Sequence, residues 1–446
     1  MHEPSMDRRS PQRQSSSAAP TVAIVTLGCS KNTVDSETLA AYLRAHGVEL
    51  TDSDTAETLI INTCGFIDAA KRESIEVILE AIERKRTGAL RRLIVTGCLS
   101  ARYAEELRRE LPEVDYFFGT EAYEPIVRLL SGDFRYELLG ERELSTPKHY
   151  AYLKIAEGCD HPCSFCAIPL MRGRYRSRPL EDLLHEARNL AARGVRELIL
   201  IAQDTTFYGV DLYGRRRIGD LLAALSEIPG IAWIRLLYTY PAHFPEELLD
   251  VMAQCPPVCR YLDIPLQHIS TPVLTSMRRG ITRRAIERLL ETIRTRVPGI
   301  TLRTTFIVGY PNETEERFAE LYDFVRQARF ERLGVFPYSH EEGTAAWILG
   351  DPIPASVKHE RLRALMELQR DISRELNRAK IGTLQRVLVD ECLAPGEYRG
   401  RTEADAPEVD NEVFFRSDSP IEIGSFVTVA IEDATDYELY GTVVAR

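Results

Sequence analysis

Short runs of Val, Ile and Leu recur along the chain, separated by longer stretches whose apolar positions return every three to four residues. Residues 21–27, 58–61 and 92–96 are runs of the first kind, and 35–45 and 69–84 are amphipathic stretches of the second. Strand-like and helix-like segments in alternation predict a parallel, doubly wound sheet over 21–140.

A second alternation follows. Strands are expected at 150–156, 197–201, 232–238, 260–265, 300–308 and 332–338, with helical patterns such as 180–193 and 283–296 between them. Six βα units are too few to close an eight-stranded barrel, so 149–377 reads as an open, partial (β/α)6 barrel. Its site is expected at the C-terminal ends of the strands. A long amphipathic helix at 357–380 leads out of it. The last stretch, 381–446, is strand-rich with turn signals at Pro395-Gly396 and Ile423-Gly424, and predicts a small antiparallel β-barrel. The fold class is therefore α/β with a terminal all-β unit.

The first twenty residues are polar, with Arg8, Arg9, Arg13 and three consecutive serines, and no apolar run follows them. They read as a disordered tail and not as a secretory signal. No apolar run reaches the ~18 residues of a membrane span, so a cytoplasmic protein is expected. Composition is that of a globular chain: 44% hydrophobic and 28% charged over 446 residues. The net charge of −11 argues against generic nucleic-acid binding. From Lys380 onwards there are six Lys/Arg against fourteen Asp/Glu, a net of −8.

Nine cysteines without a secretion signal point to metal or redox chemistry rather than a disulfide framework. Three of them form one motif, Cys159-Asp160-His161-Pro162-Cys163-Ser164-Phe165-Cys166, on a loop after the first strand of the partial barrel. Three thiolates so close grip one face of a metal cluster and leave a fourth metal site without a protein ligand. A zinc site with His161 as fourth ligand is the alternative. Cys29, Cys64 and Cys98 each follow one of the first three predicted strands. Parallel strands end on one edge of a sheet, where such folds bind ligands, so these three are expected to meet; buried structural thiols are the alternative. Cys255 and Cys259 read as structural, and Cys392 has no assigned role. Arg172, Arg174, Arg176 and Arg178 follow the cluster loop and suit an anionic group, with a solvated basic face as the alternative.

The C-x3-C-x2-C loop resembles that of the radical S-adenosylmethionine (SAM) enzymes. The resemblance implies a 4Fe–4S cluster on Cys159, Cys163 and Cys166, with SAM bound at the open iron and cleaved to a radical that abstracts hydrogen. From residue 21 onwards the chain is similar to the methylthiotransferases of that superfamily. That likeness implies a second 4Fe–4S cluster on Cys29, Cys64 and Cys98, and a C-terminal TRAM-like domain. Further stretches carry it: 203–209, 263–268, 338–344 and Ile307-Val308-Gly309-Tyr310-Pro311-Asn312-Glu313-Thr314. Gln203, Asp204, Arg172 and Gly309 are the residues expected to meet SAM, Gly309 through a turn near the adenine. The family usually has Gly where Asn312 stands, and Asn tolerates left-handed backbone.

Family members divide between tRNA adenosine (MiaB-type) and an aspartate of ribosomal protein S-twelve (RimO-type). A barrel that grips tRNA should be basic, whereas this one is acidic and suits a basic ribosomal protein or the small subunit that carries it. The cluster loop 157–169 also resembles the RimO-type branch. The expectation is methylthiolation of an aspartate β-carbon, with an electron donor and a sulfur donor as further partners and no direct tRNA binding.

Overall fold

The computed structural model describes residues 21–135 and 142–444, so the polar tail at 1–20 lies outside the described residues. Strands β1 (Thr21–Thr26), β2 (Glu49–Leu50), β3 (Thr58–Thr63), β4 (Arg92–Gly97) and β5 (Tyr116–Phe117) form one all-parallel sheet in the order β2-β1-β3-β4-β5. Successive residues face opposite sides. Ala23, Leu59, Ile61, Leu93 and Val95 pack on one side with helices Asp68–Arg86 and Cys98–Glu110. Val22, Ile60 and Ile94 pack on the other with helices Ser30–Ala45 and Tyr123–Ser131. The sequence shows the three central strands, whose apolar runs are buried on both faces. The two edge strands, of two residues each, carry no such run.

The second sheet is six-stranded, open and parallel. Strand β6 (Tyr150–Lys154) lies at one edge, and the predicted first strand stops there. Residues after Ile155 leave the sheet, where β7 (Ala156–Glu157) pairs with β8 (Arg176–Ser177) across the cysteine loop. Then follow β9 (Glu197–Ile201), β10 (Trp233–Leu236), β11 (Val258–Asp263), β12 (Thr301–Val308) and β13 (Arg332–Pro337), in the order β13-β12-β11-β10-β9-β6. Ala151, Leu153, Leu198, Leu200, Ile234 and Leu236 face the surrounding helices. Tyr150, Tyr152, Ile199, Ile201, Trp233 and Tyr261 face the concave side. Helix Ala355–Arg378 packs across β13 and leads to the last unit.

That unit is a closed five-stranded barrel of β14 (Leu384–Ala394), β15 (Glu397–Thr402), β16 (Glu412–Arg416), β17 (Phe426–Ala434) and β18 (Glu438–Val443). Its pairs are antiparallel except one: β16 and β18 run parallel, which corrects the expectation of a purely antiparallel barrel. The chain between them crosses to β17 before returning, so the closing pair runs in one direction.

The barrel plugs the N-terminal ends of the six strands. Arg401 of β15 reaches Glu197 at 2.8 Å, and Glu197 also holds Arg235 at 2.8 Å, all three buried. Asp405 pairs with Arg332, Tyr261 Oη donates to Asp410 (2.5 Å), and Asp390 accepts from His149 and Arg401. Burial raises the carboxyls of Glu197, Asp390 and Asp405, but the cations and donors beside them overcome it and leave all three below the ordinary range. Asp436 is taken by Arg374 of the long helix at 2.6 Å. Much of the acidity counted in the sequence is therefore used in docking the barrel. What remains outward is a set of exposed carboxylates that includes Glu391, Glu397, Asp418, Glu422, Glu432 and Asp433.

Candidate active site

The loop after β6 is short and tied on both sides. The Cys159 N–H donates to Gly173 O (3.1 Å) and the Cys166 N–H to Cys163 O (3.2 Å), which turns the loop tightly. Between them, Ser164 N–H donates to Met277 O (3.0 Å), and the Ala346 N–H donates to Ser164 O (2.7 Å). These anchors come from segments beyond β11 and β13, so several parts of the partial barrel fix one loop. Inside it, His161 Nε2 lies 2.6 Å from Asp204 Oδ2, and its ring stacks on Tyr240 with centroids 3.7 Å apart. Arg279 Nη1 lies 3.4 Å from Cys163 Sγ. Burial pushes the thiols of Cys159 and Cys166 up to about 12. Without a metal these thiols stay protonated, so the thiolate form requires a cationic occupant.

Cys29, Cys64 and Cys98 come together at the C-terminal edge of the first sheet, although 35 and 34 residues separate them in turn. Their convergence depends on glycine. A Cβ on Gly28 would stand 2.6 Å from Cys64 Cβ, and one on Gly97 would stand 2.4 Å from Asn62 Oδ1; both glycines have φ near +95°, at +91° and +98°. Cys98 opens helix Cys98–Glu110 directly after β4. Asn32 clamps the edge, donating from Nδ2 to Leu27 O (2.7 Å) and Thr63 O (3.1 Å). Burial pushes Cys98 up to about 12, and the charges of Cys29 and Cys64 add to the rise.

The two edges face each other. Lys31, from the helix that follows Cys29, sits 3.0 Å over the ring of Tyr238 beyond β10. Glu341, beyond β13, takes Arg102 at 2.8 Å and Lys71 at 3.0 Å from the N-terminal unit. The two triplets are thus neighbours: Cys98 packs with Ala167 and Met171, which follow Cys166 in the chain.

Arg172 is not where the sequence reading put it. It was expected to meet SAM, yet its Nη1 lies 2.8 Å from Glu157 Oε1 and 3.2 Å from Asp35 Oδ2, and its Nη2 donates to Asn32 Oδ1 (2.5 Å). The guanidinium is buried against the N-terminal triplet, and protein oxygens occupy its donors. Asp204 is also engaged: Oδ1 accepts from the Thr206 N–H and Oγ1, while Oδ2 faces His161. Gln203 differs, for its Oε1 is buried with no partner. Gly309 directly follows β12, donates its N–H to Glu313 and packs on Lys358. The turn at Asn312 is formed, with the Glu313 N–H donating to Tyr310 O (2.7 Å), although Asn312 itself has no left-handed backbone; its Nδ2 donates to Pro272 O (3.2 Å). Cys259 is buried on the concave face beside Arg235, and Cys392 is exposed.

Tyr240, Arg279 and Asn32 escaped the sequence reading. Only Asn32, three residues after Cys29 in Cys29-Ser30-Lys31-Asn32, carried a signal, as a polar side chain at the start of a helix beside a cysteine.

Both triplets suit a cluster better than one ion. Among the described residues, the group of three ligand atoms within 4.8 Å of one another is Asp35, Glu121 and Glu157, and neither cysteine triplet is that tight. A single zinc needs its ligands close around one centre; separate irons of a cluster each take one thiolate. Buried, unpartnered oxygens accompany them: Ser30 and Ser100 near the first triplet, Gln203 at the end of β9.

Three family models match the chain: the Radical SAM superfamily over 153–325, the uncharacterized protein family UPF0004 over 21–119, and the TRAM domain over 381–444. The ribosomal protein uS12 methylthiotransferase RimO of Cytophaga hutchinsonii is 52% identical over 427 residues, which is 95% of this chain and 98% of that one. The protein of the same name in Prosthecochloris aestuarii is 53% identical over 95% of this chain and 98% of its own. Among solved structures, the radical S-adenosylmethionine methyltransferase TsrM of Kitasatospora setae superposes with a TM-score of 0.54 at 16% identity, over 71% of this chain and 72% of that one. At that identity the likeness concerns the fold alone.

Proposed function

The chain belongs to the ribosomal protein uS12 methylthiotransferase family, and on that premise we propose which of its residues carry the reaction. It is a radical SAM methylthiotransferase that acts on an aspartate of uS12 and uses 4Fe–4S clusters and SAM. The clusters and SAM supply radical chemistry when bound; the residues bind, orient and enclose.

Cys159, Cys163 and Cys166 hold the cluster that SAM meets. Cys29, Cys64 and Cys98 hold the second. The observation that supports this division is the convergence of Cys29, Cys64 and Cys98, distant in sequence, on an edge that faces the mouth of the partial barrel. Gln203, whose buried amide oxygen has no partner, follows β9 at the C-terminal end of the strands and is assigned to SAM. Asp204 acts indirectly, by fixing His161 inside the cluster loop. Arg279 supplies a buried cation beside Cys163, which offsets thiolate charge there.

The docking of the acidic barrel bears on the substrate. It lies at the opposite end of the strands from the cysteines, so it does not line the site. Its outward carboxylates suit a basic protein surface and disfavour RNA phosphate. An electron donor and a sulfur donor complete the set of partners. No described helix is long and apolar enough to cross a membrane, and a uS12 substrate supports a cytoplasmic site for the reaction.

The test is anaerobic reconstitution with iron and sulfide. The wild-type chain is expected to bind two clusters and to modify uS12. Changing all of Cys29, Cys64 and Cys98 to Ala should halve the bound iron, preserve SAM cleavage under reductant and abolish sulfur insertion. Retention of sulfur insertion in that variant would overturn the assignment.

A further inference from the structure

Asp35, Glu121 and Glu157 bring three carboxylate oxygens within 4.8 Å of one another, a grouping that resembles a cation site. The cations here are side chains. Lys154 Nζ pairs with Asp35, lies 2.8 Å from Glu157 and 3.1 Å from Glu121, and Arg172 Nη1 takes the far oxygens of Asp35 and Glu157. Tyr123 Oη donates to Asp35 at 2.9 Å. Asp35, Glu157, Lys154 and Arg172 are all buried, with at most 5% of each residue exposed. Burying such a network costs desolvation, which its mutual hydrogen bonds offset only in a well-fixed geometry.

Its geometry is specific. Asp35 belongs to the helix that starts after Cys29. Arg172 ends the short helix Ile168–Arg172 that starts two residues after Cys166. Its second nitrogen, Nη2, bonds Asn32 Oδ1 (2.5 Å), the oxygen that lies 4.0 Å from Cys98 Sγ. A cation carried by one cysteine loop is therefore seated beside the other triplet. Through Asn32, Arg172 stands one hydrogen bond away from Cys98. The groups facing it are Asp35, Glu157, Asn32 and the cysteines themselves.

We propose that Arg172 is a positioning residue for the N-terminal cysteine site: its buried charge sets the reduction potential of the cluster there, and its bonds tie that site to the loop of Cys159, Cys163 and Cys166. The proposal rests on the reading that Cys29, Cys64 and Cys98 hold a cluster. A buried cation favours the reduced, more negative cluster, whereas a neighbouring carboxylate opposes it. The two neighbours of one network thus have opposite signs of effect.

The experiment uses the full chain with Cys159, Cys163 and Cys166 changed to Ala, so that one cluster is observed. It is reconstituted with iron and sulfide and titrated potentiometrically with electron paramagnetic resonance as readout. Arg172→Gln is expected to shift the midpoint potential to more negative values. Arg172→Lys should shift it less, since the charge stays but the planar fork is lost. Asp35→Asn is expected to shift it the other way, to more positive values. Opposite shifts cannot come from general loosening of the fold, which would move both variants alike. Iron bound at an unchanged potential in Arg172→Gln, or shifts of one sign in Arg172→Gln and Asp35→Asn, overturns the proposal alone. A chain that binds no iron once Cys159, Cys163 and Cys166 are removed overturns the cluster assignment and the proposal with it.

Discussion

His161 and Asp204 are 43 residues apart in sequence and 2.6 Å apart in space, and the contact runs from inside the cysteine loop to the end of β9. The imidazole is stacked on Tyr240, whose hydroxyl donates to Arg279 O at 3.0 Å. Arg279 in turn reaches Cys163 Sγ. A hydrogen bond, a ring face and a cation thereby hold a loop of eight residues from three directions.

Removing Asp204 should loosen that loop. In Asp204→Ala, His161 and Thr206 lose a buried acceptor, at a cost of about 1–3 kcal/mol for the unpaired groups. Supporting residues of this kind typically change metal affinity roughly 10–100-fold. Iron on Cys159, Cys163 and Cys166 should be stripped by a chelator well before iron on the other triplet. Equal rates of loss at the two sites, followed by electron paramagnetic resonance, would count against the role.

The N-terminal triplet should be sensitive to a single methyl group. Gly28→Ala sets a Cβ 2.6 Å from Cys64 Cβ on a backbone with φ +91°. Left-handed strain alone costs of order 1–3 kcal/mol, and the clash adds to it. We expect a chain that folds, with a lowered melting temperature, and binds about half the iron of wild type. Full iron content in Gly28→Ala would contradict the convergence of these cysteines.

The dock of the C-terminal barrel should fail in acid. Glu197, Asp390 and Asp405 are held below the ordinary carboxylate range by Arg401, Arg235, His149 and Arg332. Groups with depressed values stabilise the fold above their unfolded pKa, about 4, and that stabilisation is lost as pH falls through their folded values. Asp410, raised by burial, does not contribute in this direction. Trp233 packs on Phe426 of the barrel with centroids 4.8 Å apart and so reports the dock. Its fluorescence should change below about pH 4. In Arg401→Gln the change should begin at higher pH, because Glu197 and Asp390 lose their shared cation.

A further buried hub joins the two cysteine-bearing units, beside the network of Asp35, Lys154 and Arg172. Glu341 and Arg102 are 2% and 4% exposed at their side chains, and Lys71 joins them. Breaking a buried pair from one side costs about 3–5 kcal/mol. Glu341→Gln should therefore raise amide hydrogen exchange in helix Cys98–Glu110 while helix Glu315–Ala328 keeps its protection. Unchanged exchange at 98–110 would remove Glu341 from that role.

Much of this arrangement was legible in the chain. The six strands of the partial barrel stand out because parallel strands buried on both faces read as apolar runs, and the cysteine loop is local. The first triplet was legible only through topology, since strand ends meet on one edge. Other features were not. The edge strands are too short to carry a pattern. Arg172 follows the cluster loop in sequence, and nothing local says that its side chain crosses to the opposite sheet to meet Asp35 and Asn32. The acidic count of the last 67 residues was correct as a sum, but a sum does not say that Asp390, Asp405 and Asp410 point into the neighbouring barrel.

The most direct measurement is the intact and peptide-resolved mass of uS12 after anaerobic incubation with the reconstituted chain, SAM, sulfide and reductant. The expected result is one methylthio group in place of hydrogen on an aspartate, present with wild type and absent with Cys29, Cys64 and Cys98 changed to Ala. An unmodified uS12 with a chain that carries both clusters and cleaves SAM would contradict the account.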